Sequence, residues 1–217
     1  MTTRASNKKT AMALFDSDCL EVAGPDSRRS KVLPGFGIRS RMQPMADQLD
    51  ALYDFAKKQG LVMVFTHCCS SNPVKPGQHP DVLVVPMDPA DQSWTTQLDR
   101  YRLINIEKHN ATPLNRSFIC RHFDAFQHNS NSSRLLQLLN IPRWILFGHG
   151  FDLCVDSAAK GIIAAGYQVH LLTDVIASSA PCYGPYGTED SKRSILAYLQ
   201  KIGVTTGTVA DLLTTCP

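Results

Sequence analysis

The sequence predicts an α/β protein, a single-domain three-layer α/β/α sandwich around a mainly parallel six-stranded sheet. Three observations lead there. Short apolar runs recur along the chain, segments of helical period separate them, and several of the runs end on a polar or charged residue. Strands that alternate with helices build βαβ units, and parallel sheets made this way are covered on both faces.

Residues 1–9 are polar and read as a frayed tail, which leaves 10–217 as the domain. Ala11–Phe15 is a buried first strand that ends at Asp16, and Gly24–Met42, rich in Pro, Gly and charge, reads as a long loop. Pro44–Lys58 repeats Met45, Leu49, Leu52, Phe55 and Ala56 at helical spacing and stops at Gly60. Leu61–Phe65 is a second strand, Cys68–Asp99 an irregular excursion, and Leu103–Ile106 a third strand that ends at Glu107-Lys108. A helix over Ser132–Leu139 leads into strand Trp144–Phe147. Gly148-His149-Gly150 then turns the chain into a helix from about Leu153 to Ala165, closed by Gly166. Strand Gln168–Leu172, a helix near Asp190–Lys201 and a terminal strand near Val204–Thr208 complete the series.

With 217 residues, 43% of them hydrophobic, the chain can bury one sizeable core. The net charge of +3 is small and the Lys and Arg are scattered, so neither nucleic acid nor a membrane is an expected partner. No apolar run reaches the ~18 residues of a membrane span, and Ala11–Phe15 is short for a secretory segment; the expected location is cytoplasmic. Seven irregularly spaced cysteines, an odd number, argue for free thiols rather than a disulfide framework.

Cys154 stands where the apolar strand Trp144–Phe147 gives way to a helix. The positive end of a helix dipole favours thiolate, the reactive form of cysteine, so Cys154 is the candidate nucleophile. In open parallel sheets the site lies beyond the carboxyl ends of the strands, and Asp16, Lys108 and Cys154 each stand at or just past such an end.

The segment Trp144-Ile145-Leu146-Phe147-Gly148-His149-Gly150-Phe151-Asp152-Leu153-Cys154-Val155 resembles the cysteine hydrolase family of isochorismatases, nicotinamidases and N-carbamoylsarcosine amidohydrolases. The resemblance continues through Ala158-Ala159, Gly166-Tyr167-Gln168-Val169 and Thr173–Ser178, and spans about Thr10 to Leu213. Ala13-Leu14-Phe15-Asp16 is similar to the family's first strand with its aspartate, and Asp124-Ala125-Phe126 to its aromatic segment. The resemblance implies a triad of Asp16, Lys108 and Cys154. Arg121 is the alternative cation, because a long insertion separates Lys108 from Phe126, and Asp18 is the alternative acid.

It also implies an oxyanion hole from the backbone N–H groups of Gly150 and Cys154, with a cis peptide at His149–Gly150. Asp18, Phe126, Phe151 and His67 are the expected substrate contacts. Nicotinamidases carry an Asp-x-His metal motif where this chain reads Thr66-His67-Cys68-Cys69-Ser70-Ser71, so no metal and no cofactor is expected. The implied reaction is hydrolysis of a small amide or carbamoyl compound through a thioester, by a homodimer or homotetramer. The alternatives are vinyl-ether hydrolysis and a non-catalytic ligand-binding role.

Overall fold

The computed structural model describes residues 12–23, 27–66, 77, 79–108, 125–178 and 188–215. Seven strands form one sheet: β1 (Met12–Ser17), β5 (Met63–Thr66), β6 (Val82–Val85), β7 (Leu103–Ile106), β8 (Arg143–His149), β9 (Gln168–Ala177) and β10 (Thr205–Gly207). They run in the order β10-β9-β8-β1-β5-β7-β6, and every neighbouring pair is parallel.

The expected six strands become seven because β6 lies inside the segment expected to be irregular. Its Val-Leu-Val-Val run is buried at all four positions, as a doubly covered strand requires. Side-chain amides hold the chain that follows it. Asn129 donates to the carbonyls of Val85 (3.4 Å) and Glu107 (3.1 Å), and Asn131 to those of Pro86 (2.9 Å) and Asp88 (3.0 Å).

Among the described residues six helices cover the sheet: α1 (Ala46–Lys58), α2 (Ala125–His128), α3 (Asn131–Leu139), α4 (Asp156–Ala164), α5 (Glu189–Lys201) and α6 (Val209–Thr215). Alternation along the strands divides the core. Ala13, Phe15, Trp144 and Leu146 face α3, α4 and α5, while Leu14, Ile145 and Phe147 face α1 and α6. On α1 the stripe of Leu49, Leu52, Tyr53 and Ala56 is buried, each large apolar side chain contributing about 1.5–3 kcal/mol.

The expected long loop Gly24–Met42 instead carries β3 (Arg28–Arg29) and β4 (Phe36–Ile38), which form a small antiparallel sheet with the preceding β2 (Leu20–Val22) in the order β2-β4-β3, followed by a 3-10 turn over Ser40–Met45. Asp50 of α1 holds it in place by accepting from Ser30 Oγ (2.9 Å) and the Lys31 N–H (3.1 Å). No helix among the described residues is long and apolar enough to cross a membrane.

Candidate active site

β1 sits at the centre of the sheet. From β1 the chain passes to β5, runs out to the edge strand β6, returns to place β7 between them, and then crosses to β8 and β9 on the other side. Open parallel sheets place their sites at such a reversal, and at the carboxyl ends of β1 and β8 the chain brings together Asp18 and the Gly148–Cys154 segment.

Two glycines allow the close approach. Gly148 has φ 144°, and a Cβ there would stand 2.0 Å from the Ser17 carbonyl oxygen. Gly150, left-handed at φ 73°, lies against the sulfur, where a Cβ would be 3.4 Å from Cys154 Sγ. A π-helical turn over Phe151–Val155 then carries Cys154 into α4. The described peptide bonds include no cis bond, so His149–Gly150 is trans, contrary to the expectation.

The carboxylate beside Lys108 and Cys154 is that of Asp18 rather than Asp16. Lys108 Nζ lies 3.0 Å from Asp18 Oδ2, with both side chains almost wholly buried. The Cys154 side chain is hydrogen-bonded to the same carboxylate. Asp16 is engaged elsewhere: its Oδ1 accepts from the Cys19 N–H and its Oδ2 from the Tyr53 hydroxyl, each at 2.8 Å. The reason is local geometry. Asp16 continues the Leu14 face toward α1, whereas the left-handed φ of 63° at Asp18 breaks the alternation and re-aims the second carboxylate. The Asp18 N–H donates to the Thr66 carbonyl at 3.0 Å, which holds that turn over β5.

The two carboxylates are tuned in opposite directions. Burial raises Asp16 to about 6, against the lowering effect of its Cys19 and Tyr53 hydrogen bonds. Burial also pushes Asp18 up, but the charges of Lys108 and Arg39 and the hydrogen bonds from Cys154 and Lys108 outweigh it and hold Asp18 below the ordinary carboxylate value. An ionised Asp18 beside a thiol is a proton acceptor in position. Burial lowers His149, and nearby Asp18 opposes this while Arg41 and Arg39 reinforce it. Its Nε2 is buried with no hydrogen-bond partner among the described residues.

The expected substrate contacts fare unevenly. Phe126 is half-buried and stacks on Phe15 at 6.1 Å between centroids, and Phe151 is buried in the core beneath α4. Both pack the fold. His67 and Arg121 lie outside the described residues. Asp18, expected as a substrate contact and as the alternative acid, is the carboxylate that meets the lysine and the thiol. Among the described residues no cluster of His, Cys, Asp and Glu has the arrangement of a metal site, and Cys19 and Cys154 are free thiols.

No family model matches the sequence, and no curated protein matches it in sequence. Solved structures do match in fold. An isochorismatase from Pseudomonas putida superposes with a TM-score of 0.56 at 16% identity, over 94% of this chain and 91% of that one. The nicotinamidase of Staphylococcus aureus gives 0.53 at 14% identity, over 91% and 99%. The YcaC protein of Escherichia coli, described as an octameric hydrolase of unknown specificity, gives 0.52 at 17% identity, over 92% and 76%. The mainly parallel α/β fold of this chain is one it shares with isochorismatase-family proteins and nicotinamidases.

Proposed function

We propose that the protein is a cysteine-dependent hydrolase that cleaves a C–N bond of a small amide or carbamoyl compound. The observation that carries this reading is the contact of Cys154 and Lys108 with one buried carboxylate, Asp18. Asp18 takes the thiol proton, and the Cys154 sulfur attacks the substrate carbonyl carbon. The oxygen gains negative charge and is held by the N–H groups of Gly150 and Cys154. Asp18 then gives the proton to the departing nitrogen, the C–N bond breaks, and a thioester remains. Water, deprotonated by Asp18, attacks that thioester. The C–S bond breaks, the acid leaves, and the proton returns to Cys154.

Lys108 stays protonated throughout and keeps Asp18 ionised between proton transfers. Asp16 is a positioning residue, because its bond to the Cys19 N–H fixes the turn that presents Asp18. Free thiols at Cys19 and Cys154 suit a reducing, cytoplasmic setting, and the octameric YcaC neighbour suggests that the chain works as a homo-oligomer, which light scattering would measure.

The reading is tested by incubating the protein with a panel of small amides, N-carbamoyl amino acids and vinyl ethers, following product and intact mass together. An acyl adduct that disappears in Cys154→Ala, with turnover abolished by Asp18→Asn and only reduced by Asp16→Asn, supports it. Turnover that survives Cys154→Ala, or acts on ethers alone, overturns it.

A further inference from the structure

At the opposite end of the sheet, where β5 and β7 begin, the protein carries a cavity of about 250 Å³. Leu33, Ala56, Leu61, Met63 and Leu103 supply apolar walls, and Tyr53 contributes its ring. The Tyr53 hydroxyl is committed to Asp16 at 2.8 Å, so this residue offers the cavity a hydrophobic surface and no spare donor. A dry cavity of about 150 Å³ lined by apolar side chains already takes a benzene ring, so this one has room for a ring or branched chain with a short tail.

The mouth has the opposite character. Lys57, Asp81 and Arg102 stand at the cavity, which shares Asp81, Arg102 and Leu103 with an adjoining cleft of about 340 Å³ that adds Arg100. All four charged residues are exposed, and none forms an ion pair with another described residue. Three cations against one carboxylate leave a positive rim above an apolar hole. A neutral hydrophobe would fill the hole and leave the rim unused. A polyanion would use the rim and leave the hole empty. The complementary molecule has an apolar body and a single carboxylate that an arginine fork can grip.

We propose that this cavity and its rim form a second binding site, for a small amphipathic monocarboxylate of the aryl-alkanoate or branched alkanoate class, separate from the Cys154 centre. The cavity shares no lining residue with the Cys154 centre, so binding there and hydrolysis at Cys154 stand or fall independently.

The test uses full-length protein and 3-phenylpropionate as the probe, with 3-phenylpropanol as its neutral counterpart, read by isothermal titration calorimetry and saturation-transfer NMR. Saturable binding of the carboxylate is expected, unchanged when Cys154 is first alkylated with iodoacetamide. The alcohol should bind at least tenfold more weakly, and so should the carboxylate with the double variant Lys57→Ala/Arg102→Ala. Both replaced residues are exposed, and an unchanged thermal melt confirms that the variant is folded. Absence of saturable binding, loss of binding on Cys154 alkylation, or equal affinity in the double variant each overturns the proposal. So does a dimer that the double variant dissociates while no carboxylate binds, because a second copy would then be the occupant.

Discussion

Replacing Asp16 with Asn removes one titration while nearly preserving the side chain's shape. The carboxyl group is fully buried, and burial lifts it to about 6 from an ordinary 3.8 despite hydrogen bonds from Cys19 and Tyr53. The folded protein therefore holds this proton more tightly than the unfolded chain does. The resulting stabilisation is complete below 3.8 and is lost as pH rises through about 6. At about 1.36 kcal/mol per pH unit, the interval between 3.8 and about 6 corresponds to roughly 3 kcal/mol. Asn carries no charge to desolvate, so its contribution stays level across that range.

Urea unfolding followed by fluorescence of the buried Trp94 and Trp144, repeated from about pH 3.5 to pH 7.5 on both proteins, gives the difference directly. Wild-type stability relative to Asp16→Asn is expected to fall by roughly 3 kcal/mol over that interval. Subtraction cancels the titrating groups that do not sense Asp16; Asp18, coupled to it by charge, has a lowered value that acts in the opposite sense, stabilising above 3.8 and fading as pH falls. A difference that stays flat across the range would refute the assignment of Asp16 as a strained buried carboxylate.

Tyr53→Phe withdraws one donor from Asp16 and should move the midpoint of the same titration above about 6, while lowering stability near neutral pH by about 1–3 kcal/mol. Lys108→Met strands Asp18 as a buried charge; an unfolding free energy lower by about 3–5 kcal/mol and slower capture of Cys154 by iodoacetamide are expected, and unaltered capture would argue against the shared carboxylate. Gly148→Ala forces a Cβ to within 2.0 Å of the Ser17 carbonyl in a left-handed backbone, so β1 and β8 must part; a loss of about 3 kcal/mol or failure to fold should appear in thermal melts.

Strand β7 and helices α3 and α5 lie close to where apolar periodicity placed them, and the strand-to-helix turn at Cys154 was legible from its glycines and the apolar run before them. Lys108 was readable as the last residue of a strand-end motif. The choice between Asp16 and Asp18 was not, because it turns on one left-handed φ at a non-glycine residue, which composition scarcely signals. Strand β6 was obscured by Pro80, Pro86 and Pro89 around it, although its continuous Val-Leu-Val-Val run is what a buried parallel strand looks like. Phe126 and Phe151, expected at the substrate, both pack against the core. Aromatic side chains near a site are drawn into the core by their area, and stacking on Phe15 decides the place of Phe126.

The amides of Asn129 and Asn131 occupy carbonyls at and just beyond the outermost strand, β6, whose four residues are all buried. Together with the Asn129 bond to the Glu107 carbonyl, these donors clamp the carboxyl end of the β6–β7 pair, so the sheet cannot fray at that corner without first giving up side-chain amide bonds.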